Sequence, residues 1–141
     1  MSLKLFDLTG RTAVVVGGAG GLGQAIAQGL AEAGAKVLIS SRKEDALKRA
    51  QEEIKAASGK DVCYFAADAT NEEQVIALLE SAKQQLGGKV DILVNAQGFN
   101  KKIDALDFDI SVFRQMLDAN VTSFMITCKH FGRHFKENGY G

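Results

Sequence analysis

The sequence predicts a doubly wound parallel α/β sheet, and three observations carry that reading. Short apolar runs rich in β-branched residues alternate with segments of helical spacing. The runs themselves lack polar alternation, as expected of strands covered on both faces. The first run, Arg11 to Val16, leads into GGAGGLG, where no strand or helix can begin until Leu22. Parallel strands need crossover helices, and those crossovers are right-handed.

Each element follows in order. After the glycine turn, Leu22, Ile26, Leu30 and Ala33, with Gly29 on the same side, fall at helical spacing, and Gly34 stands where a left-handed cap is wanted. Lys36 to Ser40 is the second strand. Residues 43–57 pair Glu44 with Lys48 and Asp45 with Arg49, the mark of a solvated helix closed by Gly59. Val62 to Ala66 is the third strand. Thr70-Asn71-Glu72-Glu73 offers a capping box to a helix with the stripe Val75, Leu78, Leu79, Ala82 and Leu86. Gly87-Gly88 stops that helix, Val90 to Val94 is the fourth strand, and a loop from Asn95 to Asp107 leads to one long helix from about Asp109 to Lys136. The glycines carry all this punctuation, because the 141 residues include 15 glycines and no proline.

Composition narrows the function. With 46% hydrophobic and 24% charged residues the chain is an ordinary globular sequence, of a length for one domain over residues 1–141. Seventeen basic residues balance 17 acidic ones, so neither a nucleic-acid partner nor an anionic membrane surface is expected. No apolar run approaches the roughly 20 residues that cross a bilayer, and no leader pattern opens the chain, so a cytoplasmic protein is expected. Cys63 and Cys128 lack metal-ligand spacing and are read as small buried hydrophobes. His130 and His134 are four apart on the last helix, but no third ligand follows; they are read as surface residues, and no metal site is expected.

A glycine turn between strand and helix lets an anion approach the helix N-terminus. A phosphate loop of the Gly-Lys-Ser/Thr kind is excluded, since Gly21-Leu22-Gly23-Gln24 stands in its place. Methyltransferases that bind S-adenosylmethionine, and NAD enzymes, want an acid after the second strand to hold ribose hydroxyls. Here the residues are Ser40-Ser41-Arg42-Lys43, which favours a 2′-phosphate and therefore NADP over NAD.

The spacing Val16-Gly17-Gly18-Ala19-Gly20-Gly21-Leu22-Gly23 resembles the short-chain dehydrogenase/reductase family, whose loop reads TGxxxGxG. Three further landmarks fall in the family's order: Asp68 in FAADAT, Asn95-Ala96-Gln97-Gly98 after the fourth strand, and Asn120 in LDANVTSF. The resemblance spans the chain. It implies a Rossmann-like fold with strand order 3-2-1-4 and a cofactor set of Gly17, Gly20, Gly21, Leu22, Gly23, Ser41, Arg42, Asp68, Ala69, Asn95, Ala96 and Gly98, Asp68 holding the adenine. Two positions depart from the family. Val16 replaces a threonine, and Asn95-Ala96-Gln97 replaces the usual Asn-Asn-Ala, so hydrogen bonds that knit the loop to the fourth strand are expected to be lost or rerouted.

Asn120 also stands out by position. Phe113, Leu117, Val121, Phe124, Cys128, Phe131 and Phe135 form an inward stripe at 3.6 spacing, with Asn120 upon it. A buried amide costs about 1 to 3 kcal/mol unless paired, so backbone, water or ligand must satisfy it. In the family this asparagine helps hold a water of the proton relay, making Asn120 the candidate catalytic residue.

The family's catalytic Tyr-x-x-x-Lys is absent: Tyr64 is followed at 68 by aspartate, and Tyr140 is the penultimate residue. The sequence therefore reads as the cofactor-binding half of an oxidoreductase, truncated after the fourth strand and long helix, which passes hydride between a nicotinamide cofactor and a carbonyl or alcohol substrate. A non-catalytic dinucleotide-binding module is the alternative. The resemblance is greatest to sugar-acid and polyol dehydrogenases, and Lys101-Lys102 suggests an anionic small-molecule substrate. An unpaired fourth-strand edge and the apolar stripe of the long helix imply either a homo-oligomer joined through them or a place within a longer molecule.

Overall fold

The computed structural model describes residues 4–141. Four strands form one parallel sheet: β1 (Thr12–Val16), β2 (Lys36–Ser41), β3 (Cys63–Ala66) and β4 (Ile92–Asn95). Their order is β3-β2-β1-β4, as expected from the sequence. Helices α1 (Gly21–Glu32), α2 (Glu44–Ser58) and α3 (Glu72–Leu86) make the crossovers. After β4 come a loop, α4 (Ile110–Leu117), a π turn (Asp118–Thr122) and α5 (Ser123–Asn138).

The central strands β1 and β2 carry the apolar runs, and both are buried between helical layers. On one face Ala13, Val15, Val37 and Ile39 pack against Ala27 and Ala31 of α1 and against Leu47 and Ile54 of α2. On the other, Val14, Val16 and Leu38 meet Val75, Leu78 and Ala82 of α3 and Phe131 of α5. Each fully buried Leu, Ile or Val contributes about 1.5 to 3 kcal/mol, so these two layers hold the sheet. β3 and β4 are edge strands and only half buried.

At the end of the sheet where β1 and β4 begin, a polar clasp sets their register. Asp91, buried, accepts from the Thr12 backbone N–H at 3.1 Å and pairs with Lys89 at 3.1 Å, while the Thr12 hydroxyl donates to the Lys89 carbonyl at 2.9 Å.

Several local expectations give way to tertiary demands. The inward face of α1 is Gly23, Ala27 and Ala31, and Leu22 is 73% exposed. The small residues win because α1 lies close to the loop beneath it: a Cβ on Gly23 would run into the Gly17 carbonyl. The helix α3 is capped one residue later than expected, by Asn71, whose side chain accepts from Gln74 N–H at 3.1 Å, although its inward stripe is as read from the sequence.

The long helix runs without a break from Ile110 to Asn138 but does not keep one register. The π turn inserts an i→i+5 register that shifts the phase, and of a stripe drawn through it at constant spacing Phe131 is buried and Phe135 packs half-buried against the core. Phe113, Leu117, Val121 and Cys128 are exposed, and the buried positions of α5 are Ser123, Thr127, Phe131 and His134. His134 is therefore no surface residue: its Nε2 accepts from the buried Val90 N–H at 3.0 Å. His130 is also largely covered, meeting Glu72 at 2.7 Å beside Lys129. The hydrogen bond from Lys129, then that from His130, holds the Glu72 carboxyl below its ordinary range. Nor are the cysteines buried hydrophobes, since Cys63 is half buried and Cys128 exposed.

Candidate cofactor cleft

The C-terminal ends of all four strands converge on one cleft of about 220 Å³. In an open α/β sheet this crevice, at the point where strand order reverses, is where ligands bind. Here the chain leaves β1 for α1 on one face and leaves β4 for α4 and α5 on the other.

The floor is the glycine loop. Gly17 has φ +80, and a Cβ there would lie 2.6 Å from the Ala96 carbonyl carbon and the Gln97 nitrogen, so the loop can nest against the segment after β4 only as glycine. Gly17 and Gly18 both donate to the Ser40 carbonyl, at 2.8 and 3.0 Å. Gly20 is the N-cap of α1 and supplies no side-chain cap, and the space where a Gly21 side chain would stand is open. The first N–H groups of α1 are thus left to an incoming anion, a fit to a dinucleotide's pyrophosphate.

One wall is made by Ser41 and Arg42 at the end of β2 and by Asp68, Ala69 and Thr70 after β3. The Asp68 carboxylate accepts from the Thr70 N–H at 2.9 Å and its hydroxyl at 2.7 Å, and Asp68 N–H donates to the Gln74 side chain at 2.8 Å. Arg42 is exposed and makes no ion pair among the described residues.

The other wall is Ala96, Gln97, Gly98 and Phe99 with Ala119 and Ser123. Hydrogen bonds tie this wall to β1 and to α5. Ala96 N–H donates to the Val16 carbonyl at 2.8 Å, so backbone stitches loop to strand where Val16 offers no hydroxyl. The Asn95 amide turns toward α5, accepting from the Thr127 hydroxyl at 2.8 Å. Gln97 donates to the Ser123 hydroxyl at 3.0 Å and to Asn95 at 3.3 Å.

Asn120 lies in the π turn and is exposed rather than buried. The π turn carries its side chain out of the core and across to the loop, where it accepts from Phe99 N–H at 3.1 Å and donates to Phe99 C=O at 2.7 Å. Of the expected cofactor residues, Gly17, Gly20, Ser41, Arg42, Asp68, Ala69, Ala96 and Gly98 line the cleft. Gly21, Leu22 and Gly23 form the first turn of α1 at its rim, while Asn95 stands behind it. Thr70, Gln97, Phe99 and Ser123 were missed as lining residues: each is a polar or aromatic residue within three positions of an expected one.

A strand-glycine-helix cleft over a 3-2-1-4 sheet defines a nucleotide-binding α/β domain. The family model described as short chain dehydrogenase matches residues 11–141, and the chain belongs to that family. It is 31% identical to a 2-dehydro-3-deoxy-D-gluconate 5-dehydrogenase of Formosa agariphila, covering 100% of this chain and 53% of that protein. Among solved structures it superposes on a short-chain type dehydrogenase/reductase from Mycobacterium marinum with TM-score 0.91 and 36% identity, over 100% of this chain and 57% of the other. An NAD+-bound xylitol dehydrogenase aligns with TM-score 0.89 at 28% identity, covering 96% of this chain and 52% of its own. The chain spans about half the length of the relatives it matches. Among the described residues no helix is long and apolar enough to cross a membrane.

Proposed function

We propose that this chain is the cofactor-binding part of an NADP-preferring oxidoreductase that passes hydride between a nicotinamide cofactor and the carbonyl or alcohol carbon of a small molecule. Arg42 carries the preference: it lines the cleft at the end of β2, unpaired among the described residues, with serine rather than a carboxylate beside it. A guanidinium offers a charge-assisted fork to a 2′-phosphate, whereas a carboxylate would repel it.

The bound cofactor supplies the hydride chemistry. The chain's own residues bind and orient it. Gly21, Leu22 and Gly23 leave N–H groups for the pyrophosphate that Gly20 borders, Ser41 and Arg42 take the 2′-phosphate, and Asp68 with Ala69 borders the adenine. Asn95, Ala96 and Gly98 shape the far wall, and Asn120 is a positioning residue that holds Phe99. No tyrosine in the 141 residues is followed four positions on by lysine, so the chain by itself is expected to bind nucleotide without turnover.

Binding of NADPH and NADH to the chain, followed by nicotinamide fluorescence, tests the reading. Arg42→Ala should weaken NADPH by about 1.5 to 3 kcal/mol and leave NADH nearly unchanged. Equal losses for both overturn the preference. NADPH-dependent turnover by the chain, abolished by Gly21→Trp, overturns the expected inactivity. A serine and Tyr-x-x-x-Lys in the gene past Gly141 separate the enzyme from a non-catalytic dinucleotide-binding module.

The substrate class we favour is an anionic sugar acid or polyol. Lys101 and Lys102 are exposed on the loop that leaves the cleft at Phe99, and the relatives include a 2-dehydro-3-deoxy-D-gluconate dehydrogenase. A cytoplasmic location accords with two free thiols, Cys63 and Cys128.

A further inference from the structure

We infer that Gln97, which stands where the family carries alanine, recognises a ribose hydroxyl of the nicotinamide half of the cofactor through its side-chain carbonyl. The inference rests on reading the cleft as a dinucleotide site.

The orientation of the Gln97 amide is fixed by its neighbours. The Ser123 hydroxyl gives its proton to the Ala119 carbonyl at 2.7 Å, so toward Gln97 it can only accept. The Asn95 side-chain oxygen is an acceptor without a proton. Both therefore require the nitrogen of Gln97, at 3.0 and 3.3 Å, which turns the oxygen away from them. That oxygen, Oε1, is buried and meets no donor among the described residues. An orphaned buried acceptor is costly, and the backbone cannot move to relieve it. Residue 96 is stitched to Val16 on one side, and Phe99 is clamped by Asn120 on the other. A donor from a molecule in the cleft that Gln97 lines relieves it once the side chain turns, giving up the longer, 3.3 Å bond to Asn95.

The sheet order says which part of the ligand that is. Arg42 and Asp68 follow β2 and β3, the glycine loop follows β1, and Gln97 follows β4. With the 2′-phosphate at Arg42 and the pyrophosphate at the glycine loop, the adenosine half lies over β2 and β3. The other half then lies over β4, against the wall that Gln97 and Ser123 form. That half carries two kinds of donor, its ribose hydroxyls and its carboxamide N–H2; the ribose adjoins the pyrophosphate, and Gln97 adjoins Gly17 of the pyrophosphate loop, so the hydroxyls are the donors within its reach.

The test compares the chain with Gln97→Met, which keeps the length of the side chain and removes its polar atoms. Two probes are titrated calorimetrically: NADPH, and adenosine 2′,5′-bisphosphate, which has the adenosine half alone. Gln97→Met should weaken NADPH about 5- to 20-fold, leave the bisphosphate within twofold, and leave the ligand-free melting temperature unchanged or raised. If NADPH also stays within twofold, the inference fails while the cleft stands. If both probes weaken together, Gln97 acts only through the structure of the wall, which overturns the inference equally. If the unaltered chain binds neither probe, the dinucleotide reading falls and this inference with it.

Discussion

Asn120 grips both backbone polar groups of Phe99, accepting from its N–H at 3.1 Å and donating to its C=O at 2.7 Å. This pair of bonds spans 21 residues of sequence and fastens the loop after β4 to the π turn. It also dictates the residue between them and the cleft. Gly98 has φ +149, and a Cβ there would strike the Asn120 side-chain oxygen.

Gly98→Ala should therefore combine an unfavourable backbone conformation with a collision, costing about 2 to 3 kcal/mol in urea unfolding. Asn120→Ala removes the collision but frees the loop. The two changes together should cost clearly less than their sum, by at least about 0.5 kcal/mol in a double-mutant cycle. Strict additivity would show that the two residues do not constrain each other.

Asp91 gives the fold an acid limit. Burial raises the affinity of this carboxyl for a proton, but Lys89 and the Thr12 donors together outweigh it and hold the group below its ordinary value of 3.8. The unfolded chain therefore takes up this proton first as pH falls. The stabilisation is complete well above pH 3.8 and is lost as pH falls through the lowered folded value. Asp91→Ala should cost about 2 to 3 kcal/mol at pH 7, by leaving the Thr12 N–H without its partner, and should flatten the stability profile below about pH 4. A mutant whose acid limb parallels the parent's would remove Asp91 from this role.

His134 is the sole side-chain acceptor for the buried Val90 N–H among the described hydrogen bonds. Replacement by leucine keeps the apolar packing beside Phe135 and Phe131 but orphans that donor. The expected loss is about 1 to 3 kcal/mol, with faster amide exchange at Val90 than at Val14 in the sheet centre. Unchanged exchange at Val90 would mean that the histidine contributes packing alone.

Association follows from two unpartnered features. Among the described residues β4 pairs with β1 alone, so its outer edge offers free N–H and C=O groups, and Ile110, Phe113, Leu117, Val121 and Met125 are exposed on α4 and the segments after it. Unpaired edges and apolar faces of this kind recruit a second chain. Light scattering on the purified chain should report a mass above 15.1 kDa, and Val121→Lys with Met125→Lys should lower it. A monodisperse parent of 15.1 kDa contradicts the expected homo-oligomer.

The element order, the parallel sheet and the glycine-ended helices were legible in the sequence because each depends on residues close along the chain. Apolar runs without alternation mark β1 and β2, and Gly59 and Gly87 take left-handed conformations where a helix must stop, at φ +70 and +95. The α3 stripe was legible for the same reason, since one uninterrupted period of 3.6 decides its face. The cleft was legible where its chemistry is local, as in the glycine loop and in Ser41-Arg42.

Other features rest on partners far away in sequence. Val90 calls His134 inward from 44 residues off, and Asn95 does the same to Thr127 from 32. Such polar pairings override hydrophobic spacing, because an unpaired buried N–H or carbonyl costs as much as an apolar side chain gains. Close approach decided α1 likewise: Gly23, Ala27 and Ala31 face inward because the Gly17 carbonyl leaves room for nothing larger at its start. By itself the sequence determined which segments are strands and helices and which loop joins strand to helix through glycines. Only the tertiary structure decided which face each helix buries, where the last helix shifts to a π turn, and what Asn120 and Gln97 touch, because those depend on atoms that meet only when the sheet has formed.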